Sequence, residues 1–432
     1  MASRGTFDGA KRAFTLKTAR ILTITLIAGM LVAAVPYQAA GDTLTPVVLF
    51  PGWATTKLEV QVNGQTAFPE CPTTGTFEWV AGTSYPPDFT QVCVDKLMTL
   101  VIDPDRSKRM PERISNQQGV TVSLKNYGTT QSVSPDWIYE PLFTSLEDAT
   151  YVRNVNIRVA GYDSRLSPDL DGFLERTVAL IEETYHDNGN LPVHLVAYSL
   201  GNHYAQYLLT HTSQAWKNEF IHGFTAIGGA WPGEGGMYSN LFTGLNVNDF
   251  SLPTDPENAA SSAAMYQTWP WTYLTAPDPL VYKKQVVVIG IQGGKQYTAQ
   301  DYRQLFRDAG MPLARELADY YIGLVKFRTP QYFPNVDVYA EIGTGLPTMV
   351  GVVLEELKVD TWNDNVTDVF YRDGDGVEAD IANESILVWE KMRCYHFELN
   401  ENPEVHHYFL PADEGLLNRL LMHLQQPRSE CP

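Results

Sequence analysis

A buried strand that runs straight into a serine and then a helix most narrows the folds open to this chain. The tract is Pro192-Val-His-Leu-Val-Ala-Tyr-Ser-Leu-Gly-Asn-His-Tyr204. Its apolar run is too short for a helix, and helical spacing begins at once, from Asn202 to Thr210. A tight strand-to-helix turn of this kind pushes the serine hydroxyl off a sheet edge into a cleft. The turn needs small neighbours, and Ala197 and Gly201 flank Ser199 at two residues on either side. The start of the helix favours developing negative charge, and the Leu200 amide lies where it can bind it. Ser199 is therefore a candidate nucleophile.

The rest of the chain keeps the same rhythm. Pro46 to Phe50, Asn154 to Val159, Val193 to Ala197, Phe220 to Ile227 and Gln285 to Gly290 read as strands. Phe173 to Tyr185 has helical spacing, with Asp171 as a candidate N-cap. Strands alternating with helices predict a mostly parallel sheet covered on both faces. Two stretches break the pattern: residues 63–100, rich in Thr, Pro and Gly with scattered aromatics, and residues 232–335, which open on a glycine-rich loop. Both read as insertions into one core domain over 42–432.

A serine nucleophile needs a base, an acid that orients it and donors for the oxyanion. Val48-Leu-Phe-Pro-Gly-Trp53 ends an early strand and offers the Trp53 amide as a second donor beside Leu200. Val369-Phe-Tyr-Arg-Asp-Gly-Asp-Gly-Val377 supplies two carboxylates after an apolar run. A calcium loop is excluded there, because Val377 takes a ligand position and Glu378 stands where the sharp turn needs glycine. The order Ser, Asp, His requires a histidine beyond the acid, which leaves four of the nine. His396 lies in an alternating strand and His423 on an amphipathic terminal helix; His406 and His407 lie in the loop between them, free to reach a cleft.

The first residues carry an export signature. Arg4, Lys11, Arg12, Lys17 and Arg20 precede an apolar or small run from Ile21 to Val35, then Pro36 and the small residues Ala39-Ala-Gly41. That run is short of the roughly 20 residues that span a bilayer, so residues 1–41 read as a cleaved secretory signal rather than an anchor. Asn365-Val-Thr and Asn383-Glu-Ser are sequons on the same route. The four cysteines are expected to pair, and three connectivities are open; one joins Cys71 to Cys93 and Cys394 to Cys431. With 50 acidic against 31 basic residues the net charge is −19, which disfavours a nucleic-acid partner.

Taken in order, these strings resemble the lecithin:cholesterol acyltransferase family over nearly all of the exported chain. The opening strand and loop Pro46 to Glu59, Gly161-Tyr-Asp-Ser-Arg165 and the serine turn are similar to family motifs. So are Gln214 to Ile221, Gly228 to Gly233, Tyr297 to Arg303 with Phe306, Gly343 to Thr348 and Asp373-Gly-Asp-Gly376. The resemblance implies an α/β-hydrolase fold with a lid insertion and a cap. It also implies a serine phospholipase A or acyltransferase without a cofactor or metal, monomeric, secreted or lysosomal, working on a phospholipid membrane or lipoprotein surface. It assigns Ser199 as nucleophile, Asp375 as acid, and Trp53 and Leu200 as the oxyanion donors. His406 becomes the base, with His407 as second choice, because Leu410 four residues on matches an apolar family position. It pairs Cys71 with Cys93 at the membrane-contacting lid. Two positions depart: Ser164 replaces a tryptophan, and Tyr198 replaces the histidine before the nucleophile. A neutral-lipid or carboxylic-ester lipase, or a silent binding glycoprotein on this fold, are the rival readings.

Overall fold

The computed structural model describes residues 44–80, 83–244, 255–283 and 286–431. The expected signal segment 1–41 lies outside the described residues, as do short parts of both insertions. Among the described residues no helix is long and apolar enough to cross a membrane.

Six strands form the central sheet: β1 (Val47–Phe50), β2 (Ile157–Val159), β3 (Val193–Tyr198), β4 (Ile221–Ile227), β5 (Val338–Thr344) and β6 (Phe397–Pro403). Their order is β6-β5-β4-β3-β1-β2 and every pairing is parallel. Parallel neighbours need long crossovers, and these carry the helices. Alternation along each strand divides the sheet into two faces. Val47, Leu49, Ile157, Val159 and Val196 pack with helix α1 (Asp136–Asp148) and the terminal helix α4 (Glu414–Gln425). Val48, Phe50, Leu195, Ala197 and Phe224 pack with α2 (Phe173–Asp187) and α3 (Gly201–His211). A sheet buried on both sides explains why its strands read as apolar runs. This layered topology is the α/β-hydrolase fold.

Several local expectations shift. The second strand starts at Ile157 rather than Asn154, because Asn154 takes a left-handed φ of 64° in the preceding turn. Asp171 is not the N-cap of α2: Gly172 holds that place, with no side-chain cap, and Asp171 pairs with Arg176 at 3.3 Å instead. The strand expected from Gln285 begins at Val287, and β6 begins at Phe397, leaving His396 just before it.

The stretch 63–100 is built into the body of the protein. Its strand Thr74–Trp79 pairs with Leu58–Asn63, which pairs with Val120–Leu124. Phe77, Trp79 and Phe89 are buried in the main core, so these aromatics do not form an exposed contact face. The expected bridge Cys71–Cys93 is formed, as is Cys394–Cys431. Both sequon asparagines are buried. Asn365 is completely buried and its side-chain amide donates to the Lys358 carbonyl at 2.8 Å, while Asn383 is buried within the helix Asp380–Ile386.

Two buried carboxylates tie the insertions to each other and to the core. The Cys93 helix, Gln91–Met98, presents Asp95 to Ser261 and Ser262 of the helix Pro256–Tyr266, which donate at 2.7 and 2.6 Å. Asp163 grips the guanidinium of Arg165, at 2.6 Å from Nη2 and 3.0 Å from Nε. Arg165 also donates to the Met98 carbonyl and to Asn116, and its own carbonyl accepts the Trp271 amide. The short Tyr-Asp-Ser-Arg run is thus a brace between both insertions and the sheet.

Removing one member of a buried ion pair leaves the other charge uncompensated, at a cost of about 3–5 kcal/mol. Arg165→Ala is expected to lose that much in urea titration, and the double variant Asp163→Asn/Arg165→Ala to recover part of it. Burial raises the Asp95 carboxyl to about 6 from an ordinary 3.8. The folded state therefore holds this proton more tightly than the unfolded chain. Its contribution is full below pH 3.8 and is lost as pH rises through about 6, a change of about 3 kcal/mol. The fall in Tm between pH 4 and pH 7.5 should be smaller in Asp95→Asn than in wild type; an equal or larger fall refutes this.

Candidate active site

The side chains singled out from sequence gather at the carboxyl ends of the central strands. β1 runs into Gly52 and Trp53, β3 into Ser199, and β6 ends shortly before His406 and His407. Asp375 follows the strand Val366–Gly374 of a second sheet. It packs over the end of β5, where a Cβ on Gly343 would collide with its own Cβ. Clefts in open α/β sheets lie at this end.

The serine turn is held in a strained shape. Ser199 has φ 53°, a left-handed conformation that a side chain rarely adopts. The reason is the approach of α3 to β1: a Cβ on Gly201 would overlap the carbonyl oxygen of Phe50. The Ser199 amide donates to the Ile227 carbonyl at 2.9 Å, and Asn202 Nδ2 donates to the carbonyls of Ser199 and Ile227, both at 2.9 Å. Leu200 follows at the N-cap of α3, where helix N–H groups have no intrahelical partners.

The loop after β1 is fixed from behind by hydroxyls. Tyr139 of α1 accepts the Gly52 amide at 2.9 Å and shares a 2.6 Å hydrogen bond with Thr55. Ser164 accepts the Ala54 amide at 3.2 Å. The Trp53 ring stacks on Trp271 with centroids 4.1 Å apart.

The histidine beside Asp375 is His407, not His406. His407 Nδ1 lies 2.8 Å from Asp375 Oδ2, both side chains are buried, and the His407 amide donates to the Asp375 carbonyl at 2.8 Å. The other carboxylate oxygen of Asp375 accepts the amides of Val377 and Glu378 at 2.9 and 2.6 Å. His406 instead caps the 3₁₀ helix His407–Ala412, accepting the Tyr408 amide on Nδ1, and its ring packs over Gly376. The physical reason is helical register. In a 3₁₀ helix residues three apart share a face, so His407 turns inward with the fully buried Leu410 while His406 aligns with the exposed Phe409. Leu410 shares a face with the residue three before it, His407, and not with His406 four before it.

Ser199 and His407 line one pocket with Trp53, Tyr198, Glu234 and Trp271. His407 Nε2 is buried there without a hydrogen-bond partner. Tyr198, where the resemblance leads one to expect histidine, donates from its hydroxyl to the His407 carbonyl at 3.2 Å. Two carboxyls were not singled out from sequence. Glu378 is buried, both of its oxygens are unpartnered, and burial followed by the charges of Glu234 and Asp375 drives its pKa well up. Burial likewise raises Glu234 to about 7, against the opposing pull of His407. Neither sits in a periodic segment, so only their closeness to the Asp375 turn and the glycine-rich loop could have marked them. Among the described residues no group of three or more His, Cys, Asp and Glu side chains could hold a metal ion.

Comparison with known proteins agrees with this architecture. Lysosomal phospholipase A and acyltransferase from Bos taurus is 27% identical over 402 residues, covering 90% of this chain and 91% of that one. The Homo sapiens protein of the same name is 25% identical over 400 residues, covering 88% and 91%. Phosphatidylcholine-sterol acyltransferase from Gallus gallus is 28% identical over 308 residues, covering 69% and 71%. All four cysteines are paired, as an oxidising compartment permits, and the chain is a protein of the secretory pathway. Residues 87–314, more than half of the sequence, match one family, and the chain belongs to it: the lecithin:cholesterol acyltransferase family of enzymes.

Proposed function

We propose that this enzyme is a serine phospholipase A and acyltransferase. It cleaves an acyl ester of a glycerophospholipid and passes the chain to water or to a lipid alcohol. The observation that carries the reading is the relay from Asp375 to His407 Nδ1, with Nε2 left open to the pocket that Ser199 lines.

Asp375 fixes the imidazole tautomer, so that Nδ1 keeps its hydrogen and Nε2 can take one. His407 Nε2 removes the Ser199 proton as Oγ attacks the ester carbonyl. The amides of Trp53 and Leu200 receive the oxyanion, at the loop that Tyr139 and Ser164 hold and at the start of α3. His407 then protonates the departing lysophospholipid oxygen, leaving the acyl chain on Ser199. A water or alcohol repeats the sequence in reverse. The apolar, aromatic lining suits an acyl chain. In this reading the protein is exported after loss of residues 1–41 and acts as a monomer on a phospholipid membrane or lipoprotein surface.

Ser199→Ala and His407→Ala are each expected to lower cleavage of labelled phosphatidylcholine by about a thousandfold or more, with unchanged circular dichroism. His406→Ala is expected to stay within a few-fold of wild type. If His406→Ala is the severe variant and His407→Ala the mild one, the assignment of the base is wrong. If Ser199→Ala cleaves like wild type, the acyl-enzyme is wrong. Faster hydrolysis of triacylglycerol than of phospholipid moves the substrate to neutral lipids.

A further inference from the structure

Glu234 is a carboxyl held rigidly at the wall of the reactive pocket without a partner of its own. It lies in the run Gly233-Glu-Gly-Gly236, and the glycines on either side are dictated by close approach. A Cβ on Gly233 would overlap the Ala276 carbonyl, and one on Gly235 would overlap the backbone of Val350. The Glu234 amide donates to the Thr275 carbonyl at 2.8 Å and its carbonyl accepts the Met237 amide at 3.1 Å. Among the described residues its carboxyl has no hydrogen bond or ion pair. On the same wall Thr55 is committed to Gly52 and Tyr139, Tyr198 to the His407 carbonyl, and Asn240 to the Met237 sulfur. A half-buried carboxyl left open in an aromatic pocket favours a ligand that donates a hydrogen bond to it.

We propose that Glu234 selects the acyl acceptor by holding the second hydrogen of the attacking water, so that it biases the acyl-enzyme toward hydrolysis over transfer to an alcohol. The inference rests on the serine acyl-enzyme reading above. Water brings two hydrogens to the ester carbonyl: His407 Nε2 takes one as the oxygen bonds to carbon, and the carboxylate of Glu234 accepts a hydrogen bond from the other. The tetrahedral intermediate then breaks its bond to Ser199 Oγ, which recovers the proton from His407. The product leaves as a fatty acid that retains the second hydrogen until it ionises in solvent. An alcohol has one hydroxyl hydrogen, which His407 needs, so its remaining lone pair faces the carboxylate and is repelled. Once protonated, Glu234 loses that bias.

The groups that face Glu234 set where the change occurs. Burial raises its pKa most, His407 lowers it, Asp375 adds a smaller rise, and Glu378, Tyr408 and Tyr282 feel its charge in turn. The bias toward water should therefore strengthen as pH rises through about 7.

The test feeds wild type, Glu234→Gln and Glu234→Leu with p-nitrophenyl butyrate and a fixed concentration of 1-butanol, and measures butyl butyrate against butyrate from pH 5 to pH 8. This ratio is fixed after the acyl-enzyme has formed, so a loss of folding or of acylation does not move it. In wild type the ester-to-acid ratio is expected to fall several-fold between pH 5 and pH 8. Glu234→Leu is expected to raise it at pH 8 to at least the wild-type value at pH 5. Glu234→Gln, which carries no charge, is expected to abolish its pH dependence. A ratio that is the same in all three proteins, or that keeps its pH dependence in Glu234→Gln, overturns the role of Glu234. A wild type that forms neither product with Ser199 intact overturns the acyl-enzyme reading itself.

Discussion

The approach of Gly201 to the carbonyl oxygen of Phe50 is the contact on which the rest of the site depends. It seats the first turn of α3 directly on the end of β1, so the two loops that follow neighbouring strands become one surface. No side chain can stand between them. Ser199 absorbs the resulting bend in its left-handed φ of 53°, and such strain persists only when its surroundings over-determine it. Here they do: the Ser199 amide is bound to β4, and Asn202 ties the carbonyls of Ser199 and Ile227 together. Ser199 is positioned by backbone packing, through its amide and carbonyl.

The two departures from the family pattern fall inside the network that supports this surface. Ser164, in place of tryptophan, is small and fully buried, and uses its hydroxyl to hold the Ala54 amide beside the candidate oxyanion loop. Tyr198, in place of histidine, spans from the serine turn to the His407 carbonyl. Tyr139 completes the set from α1, gripping Gly52 and Thr55. Tyrosine, serine and threonine hydroxyls therefore fix the loops from below, and a site whose supporting groups are locked can hold its reacting groups to fractions of an ångström.

What could be read from sequence was local. Strand, serine, glycine and helix follow within a dozen residues, so the turn at Ser199 and the parallel sheet were legible, and so was the Asp375 turn. The bridges Cys71–Cys93 and Cys394–Cys431 came from one of three pairings. The choice between His406 and His407 was not legible, because adjacent residues differ only in the phase of a two-turn 3₁₀ helix. The stretch 63–100 read as a lid insertion, yet tertiary packing buries its Phe77, Trp79 and Phe89 in the main core. Asn365 shows the same limit: a sequon is a string of three residues, and burial is decided by strands far along the chain.

The carboxyls around His407 show how position assigns different roles to groups of the same chemistry. Asp375 collects the amides of Val377 and Glu378 and the imidazole of His407, so its charged form is well solvated by the protein. Glu378, three residues on, is equally buried but receives no hydrogen bond on its carboxyl, and burial favours its proton. Glu234 stands between these extremes, buried enough to be raised yet open to the pocket. Three neighbouring carboxylates could not all be ionised in so small a volume without mutual repulsion. The hydrogen-bond donors distinguish them, and those on Asp375 include backbone amides placed by its own turn. The backbone conformation of four residues, Asp375 to Glu378, thus selects which carboxyl holds the His407 imidazole.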